Sequence, residues 1–212
     1  MLNELLANPK FTLIPCTLRS FEQTNRIEFI THKQTPILVC DNGYSIYKKG
    51  VLDKEWDDRM KTLLDNYPNT EIYFLLKEYI ERNNLPIQQL KTNRGVFYTL
   101  IFHTVNEAAC YASCIEALVP TEIYTFMLQG RKLYIIPKFL DKSLALHYLK
   151  KKFPLERVIT AGDSRVDERL VRAGDIGVLP KHSSLNIPSA YRTKSSGILA
   201  GEELLEFVYE CS

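Results

Sequence analysis

The sequence predicts an α/β protein: a doubly wound parallel sheet interrupted by an inserted α+β block. Three observations carry this. Apolar runs of strand length alternate with helical patterns at both ends of the chain. Between them, at residues 50–138, the order changes to a helix followed by two strands, and then repeats. Near the C-terminal end, Val158-Ile159-Thr160-Ala161-Gly162-Asp163-Ser164-Arg165-Val166-Asp167 reads as an apolar strand, a tight Gly turn and two carboxylates as a helix begins. A buried strand ending in Gly-Asp delivers its acid to the rim of a parallel sheet, where α/β proteins hold their ligands.

Taken in order, Leu2–Ala7 reads as a helix stopped by Asn8-Pro9. Phe11–Cys16 is an apolar strand ending at Thr17, and Ser20 caps a helix through Ile27 and Phe29. Pro36–Cys40 is a second strand, and Asp41-Asn42-Gly43 is a turn signal. Tyr44–Tyr47 followed by Lys49-Gly50 suggests a hairpin. Asp53–Asn83 is one long helix or two shorter ones. Pro86–Lys91 and Gly95–His103 pair as strands, Asn106–Leu118 is a helix, and Glu122–Leu128 pairs with Lys132–Pro137. The βα rhythm then returns: helix Lys142–Lys151, strand Arg157–Ala161, helix Asp167–Arg172, strand Gly174–Leu179. Ser183–Ser196 reads as a polar loop and Glu202–Tyr209 as a closing helix. The organisation is thus 1–49 with 139–212 as a core, and 50–138 inserted into it.

Composition narrows the class. A chain of 212 residues holds one domain or two small ones. Its 45% hydrophobic and 25% charged residues are ordinary for a globular protein. A formal net charge of +2 gives no electrostatic case for nucleic acid or an anionic membrane. There is no basic-then-apolar leader and no apolar run of bilayer length, so a cytoplasmic protein is expected. Cys16, Cys40, Cys110, Cys114 and Cys211 are scattered and form no zinc spacing. They read as reduced core thiols.

Two carboxylates close together repel, and a hard cation removes that cost. Oxygen-only ligation with retained waters suits Mg²⁺. The structural reading of the same residues is that Asp163 caps the helix and Asp167 is a first-turn acid. Thr17, Asn42-Gly43 and Lys142 also fall at strand ends or helix starts, where caps and solvated lysines are common.

In this order — strand and Thr17, Asn42-Gly43, inserted block, Asp141-Lys142, then Gly162-Asp163-Ser164-x-x-Asp167 — the chain resembles the haloacid dehalogenase (HAD) phosphatases. The similarity is to the subgroup with a large α/β cap, which includes the Cof-type and sucrose-phosphate phosphatases. The resemblance implies a Rossmann-like core with 50–138 as the cap. It implies that Thr17 holds a phosphate oxygen and Lys142 neutralises charge around the phosphoryl group. Asp163 and Asp167 would hold Mg²⁺, and Asn42 would contact substrate where core meets cap. Arg19 is a candidate for an anionic substrate group. The implied activity is Mg²⁺-dependent hydrolysis of a small phosphorylated metabolite such as a sugar phosphate.

The sequence departs from the family in one respect. These enzymes carry Asp-x-Asp-x-Thr at the end of a first strand, supplying nucleophile and general acid/base. This sequence contains no such run, and Met1–Ala7 matches the helix that would follow it. In the family that strand is central, between the equivalents of Phe11–Cys16 and Arg157–Ala161. Each buried backbone group left without a partner costs about 1–3 kcal/mol, against a domain stability of about 5–15 kcal/mol. The expectation is therefore a shortened phosphatase with little or no turnover, its sheet completed by an N-terminal piece or a partner strand. The alternative is a non-catalytic pseudo-phosphatase that binds or interacts.

A serine esterase is a third reading, with Ser164 of Gly162-Asp163-Ser164 as nucleophile. It needs a downstream base, and the sequence offers only His182, with Leu179 where an Asp is expected. No Gly-x-Gly-x-x-Gly follows any strand, which argues against dinucleotide binding.

Overall fold

The computed structural model describes residues 2–27, 30 and 35–211. In chain order the elements are α1 (Leu2–Ala7), α2 (Phe21–Thr24), β1 (Ile37–Cys40), β2 (Ser45–Lys48), β3 (Val51–Leu52), α3 (Lys54–Leu64) and α4 (Asn69–Arg82). There follow β4 (Ile87–Asn93), β5 (Phe97–Phe102), α5 (Val105–Glu116), β6 (Tyr124–Gln129) and β7 (Lys132–Pro137). The chain closes with α6 (Lys142–Lys152), β8 (Ile159–Ala161), α7 (Glu168–Ala173), β9 (Ile176–Leu179), β10 (Tyr191–Arg192) and α8 (Ile198–Glu210). It divides into two compact units, Met1–Asp57 with Asp141–Ser212, and Asp58–Leu140.

In the first unit, β1, β2 and β3 form an antiparallel sheet with Ile37 opposite Lys48 and Cys40 opposite Ser45. Lys49 and Gly50, both at positive φ, make the two-residue turn between β2 and β3. Ile30, Leu38, Cys40 and Tyr47 form the core beneath, and Phe21 stacks on Tyr47 with ring centroids 4.1 Å apart. A separate sheet, ordered β10-β9-β8, is parallel throughout. Val171, Leu179, Leu185 and Ile187 pack together in its half of the unit.

The expected single parallel sheet is therefore corrected: among the described residues the strands form three sheets, and only β8–β9–β10 is a parallel ladder. Phe11–Cys16 is not a regular strand. Its one parallel bridge joins Cys16 to Val39, where Val39 N–H donates to Pro15 O and Thr17 N–H to Val39 O. Pro15 has no N–H to extend the ladder. The outer edge of β8 carries no strand partner among the described residues. The helix expected from Ser20 ends at Thr24, capped by a reciprocal Ser20–Gln23 box. The remainder expected at Phe29 lies outside the described residues. The polar loop of 183–196 contains one short strand, β10.

The second unit is an antiparallel sheet ordered β4-β5-β7-β6. Its apolar core joins Ile72 and Leu76 of α4, Ala108, Ala112 and Ile115 of α5, and Tyr98, Leu100, Phe102, Leu133 and Ile135 of the strands. Helix α5 starts at a Thr104–Glu107 capping box. Asn69 satisfies the polar groups in this core: its Oδ1 accepts from Tyr124 Oη at 2.8 Å, its carbonyl accepts from Tyr98 Oη, and its amide donates to Gly95 O at 3.2 Å. All five cysteines are free thiols, but Cys110 and Cys114 are exposed on α5, so they are not the core residues expected. They sit on the outward face because Ala108, Ala112 and Ile115 take the inward one.

Candidate functional site

Backbone hydrogen bonds bring the first group of expected site residues together. Thr17 N–H donates to Val39 O at 2.9 Å, Asn42 N–H to Thr17 O at 2.9 Å, and Asp41 N–H to Arg19 O at 3.0 Å. The Thr17 hydroxyl oxygen accepts from Arg19 N–H at 3.2 Å, a bond that does not use the hydroxyl proton. Arg19 is exposed.

The Asp41-Asn42-Gly43 turn has three successive positive φ values, 53°, 57° and 96°. Asp and Asn tolerate this region better than other side chains, at a cost of about 1–2 kcal/mol each. Ser45 Oγ donates to Asp41 Oδ2 at 2.9 Å, and Trp56 Nε1 donates to Gly43 O at 3.1 Å. A Cβ on Gly43 would lie 2.8 Å from Asp141 O and 3.1 Å from Lys142 Cα. The turn is thus pressed against the N-terminus of α6, which Asp141 caps through Ser143 N–H.

Lys142 opens that helix with its side chain turned inward, and it and Asp167 are only 5% and 6% exposed. Lys142 Nζ meets Asp167 Oδ1 at 2.5 Å. The other oxygen, Oδ2, accepts from Ser164 Oγ at 2.6 Å, Ser164 N–H at 3.1 Å and Asp163 N–H at 3.3 Å. Burial alone would raise the Asp167 pKa; the Lys142 charge and the Ser164 bonds outweigh it and hold the carboxyl below its ordinary value. A Cβ on Gly162 would fall 2.2 Å from Asp167 Cβ, so only glycine lets this carboxylate fold back beneath the loop. Cys16 lies near the same pair; burial pushes its thiol up to about 12, against the pull of Lys142, so it stays protonated at neutral pH.

Asp163 projects its carboxylate outward, and its carbonyl accepts from the buried Ser183 hydroxyl at 2.8 Å. Arg192 braces the Ser183 loop by donating to the carbonyls of Pro180, Ser183 and Leu185. Asp163 and Asp167, four residues apart where the sequence reads as a helix start, do not share a helix face. A 3₁₀ turn at Arg165–Asp167 precedes α7, and Asp167 points back into the loop while Asp163 faces out. Among the described residues no cluster of three or more His, Cys, Asp or Glu forms a closed metal cage. A hard cation that keeps most of its waters would meet one exposed carboxylate here, Asp163, since Asp167 is already committed to Lys142 and Ser164. The esterase reading fails on geometry: the Ser164 hydroxyl donates to Asp167, and His182 Nδ1 accepts from Gly197 N–H at 3.2 Å.

Residue order alone did not mark Ser183, Trp56 or Cys16 as neighbours of the site. Gly162 lay within the Gly-Asp-Ser run, but its close approach to Asp167 has no sequence signal.

An α/β unit with a parallel β8 ending in Gly-Asp, and an antiparallel sheet inserted in its chain, is the fold of the haloacid dehalogenase-like hydrolases. A family model of sucrose-6F-phosphate phosphohydrolases matches residues 1–193, and the chain belongs to that family. No curated protein sequence matches. Among solved structures, the chain is similar to the sucrose-phosphatase of Synechocystis sp. PCC6803 in complex with sucrose and phosphate, at 17% identity and TM-score 0.70, over 97% of this chain and 88% of that one. It is also similar to a haloacid dehalogenase-like hydrolase from Bacteroides thetaiotaomicron, at 16% identity and TM-score 0.66, over 97% and 90% of the two chains. A trehalose-6-phosphate phosphatase from Aspergillus fumigatus is 17% identical with TM-score 0.50, over 96% and 81%. At these identities the likeness is one of fold.

Proposed function

We propose that the first unit binds the phosphate group of a small sugar phosphate together with Mg²⁺, and that this chain binds with little or no turnover. The observation that carries the reading is the buried Lys142–Asp167 pair, with the outward Asp163 beside it in the same loop. Thr17 and Asn42 join the same neighbourhood through the turn that Gly43 presses onto Asp141 and Lys142. Phosphoryl binding needs fixed positive charge and aligned donors more than it needs covalent chemistry. Lys142 offers the charge, the Thr17 hydroxyl and Asn42 amide offer donors, and Arg19 offers a further cation at the rim. Asp163 would hold Mg²⁺ directly and Asp167 through water; the ion would add positive charge against the phosphate oxygens. Membership of the sucrose-6F-phosphate phosphohydrolase family supports a sugar phosphate as the ligand class.

Binding without turnover follows from the lack of Asp-x-Asp-x-Thr in the sequence. Titration calorimetry with phosphate and MgCl₂ is expected to show binding, and p-nitrophenyl phosphate to release little or no phosphate. No phosphate binding in the presence of Mg²⁺ would overturn the site. EDTA-sensitive turnover at an ordinary enzyme rate would overturn the expectation of little or no turnover. Asp163→Asn is expected to weaken Mn²⁺ binding, followed by the paramagnetic resonance of free Mn²⁺, by about tenfold or more, since the amide brings no charge.

Among the described residues, the unpaired outer edge of β8 and the single bridge at Cys16 favour a second element of the proposal. An extended segment, from a longer form of this chain or from a partner, pairs with Leu13–Cys16 on one side and Ile159–Ala161 on the other. Hydrogen exchange checks this. The outward-facing amides of Cys16, Ile159 and Ala161 should exchange slowly in protein purified from its native source and fast in the 212-residue chain alone. Equal, fast exchange in both would count against it.

A further inference from the structure

The tryptophan of this chain, Trp56, is 1% exposed and lies in the first turn of α3. Its indole N–H donates to Gly43 O at 3.1 Å. Its ring lies 4.8 Å from that of Tyr148, centroid to centroid, at an interplanar angle of 37°. Tyr148 belongs to α6, the helix that Lys142 opens. The Tyr148 hydroxyl donates to both Asp53 oxygens at 3.1 Å, and Asp53 in turn caps α3 by accepting from Trp56 N–H at 3.3 Å. Lys48 at 2.7 Å and Lys152 at 3.3 Å complete the Asp53 environment. Burial alone would raise the Asp53 pKa; the Lys48 bond and the Trp56 and Tyr148 donors outweigh it and bring the carboxyl down to about 2. The contacts close a ring: Gly43 to Trp56, Trp56 to Asp53 and Tyr148, along α6 to Asp141, and back to Gly43.

That ring grips a strained segment. Asp41, Asn42 and Gly43 all hold positive φ, and such a turn persists only where its surroundings over-determine it. The amides of Asp41 and Asn42 donate to the carbonyls of Arg19 and Thr17, so any shift of the turn carries the Thr17–Arg19 loop with it. On the other side Gly43 touches the backbone of Asp141 and Lys142. Trp56 is too buried to touch a ligand. Its indole N–H instead meets a backbone carbonyl one residue from Asn42, and a buried carbonyl left without a donor favours rearrangement of the turn that carries it.

We propose that Trp56 is a positioning residue: its indole N–H, backed by Asp53 and Tyr148, sets the Asp41–Gly43 turn against the Lys142 helix and so aligns Thr17 and Asn42 with Lys142. The functional part rests on the phosphate-site reading given above; the positional part does not.

Trp56→Phe tests both, because it keeps an aromatic ring against Tyr148 and removes the N–H together with the second ring of the indole. Amide hydrogen exchange in the absence of ligand should quicken at Asp41 and Asn42 while the amides of β5 and β7 stay as slow as in wild type. The affinity for phosphate with MgCl₂ should fall by about tenfold, the loss of roughly one buried hydrogen bond. Tyr148→Phe is the second variant if Trp56→Phe does not fold; it keeps the ring contact, removes one donor from Asp53, and is expected to show the same local exchange change in smaller measure. Unchanged exchange at Asp41 and Asn42, or an equal rise throughout β5 and β7, would overturn the positioning role. Quickened local exchange with wild-type phosphate affinity would also overturn it. If wild type itself fails to bind phosphate, the phosphate-site reading falls, and the exchange data still decide whether Trp56 holds the turn.

Discussion

Lys142→Met is expected to destabilise the first unit by about 3–5 kcal/mol, measured by urea unfolding at neutral pH. The reason is the partner left behind. Asp167 is 6% exposed, and without the ammonium at 2.5 Å its charge remains in a site that excludes water. The two Ser164 donors and the Asp163 N–H still bind Oδ2, so the loss should sit toward the lower end of that range. The double variant Lys142→Met/Asp167→Asn should recover part of it, since a neutral amide leaves no buried charge. The pH dependence gives a separate check. The Asp167 carboxyl is held below its ordinary value in the folded state, so its contribution is complete above about pH 4 and is lost as pH falls through the folded pKa. Wild type should therefore lose its advantage over Lys142→Met as the solution is acidified below pH 4. A gap between the two that stays constant down to acid pH would show that the pair is not the source of the difference.

Gly43→Ala should cost about 3 kcal/mol or more. Two independent penalties combine. At a φ of 96° a Cβ crowds its own backbone, and at 2.8 Å from Asp141 O it strikes a carbonyl that cannot swing away as a side-chain end can. The alternative to unfolding is displacement of the turn from α6. The measured stability loss should then be smaller, but phosphate affinity should collapse because Asn42 and Lys142 part. Thermal unfolding read beside phosphate calorimetry separates the two outcomes. Gly50→Ala makes a fitting control: its φ is also positive, at 80°, but nothing lies within 4 Å of the added Cβ. It should cost only the backbone term, about 1–2 kcal/mol, and leave phosphate affinity unchanged.

Local chemistry was legible in the sequence. Ser20 marks a helix start, and it closes a reciprocal capping box with Gln23; the Thr104–Glu107 box that opens α5 was not read, and that helix was expected from Asn106. Asp41-Asn42-Gly43 reads as a turn because those residue types accept positive φ, and all three adopt it. Strand pairing was less legible. Phe11–Cys16 has the composition of a strand, yet only Cys16 bridges a neighbour among the described residues, because a ladder needs a second backbone alongside it. The carboxylates show the same limit. Two acids four residues apart look alike on paper, but Asp167 ends buried against an ammonium and three other donors, while Asp163 ends at the surface.

The sequence by itself determined which groups were on hand: an acid-bearing Gly turn after an apolar strand, a lysine at a helix start, a threonine after an extended run, and no Asp-x-Asp-x-Thr. The tertiary structure decided their pairing. Lys142 and Asp167 meet although they lie 25 positions apart in the chain, and Trp56 reaches Gly43 from 13 positions away. Such bonds depend on burial, which strips water from both partners and makes each unmade contact costly. Burial is a property of the assembled chain, so no short stretch of residues carries it.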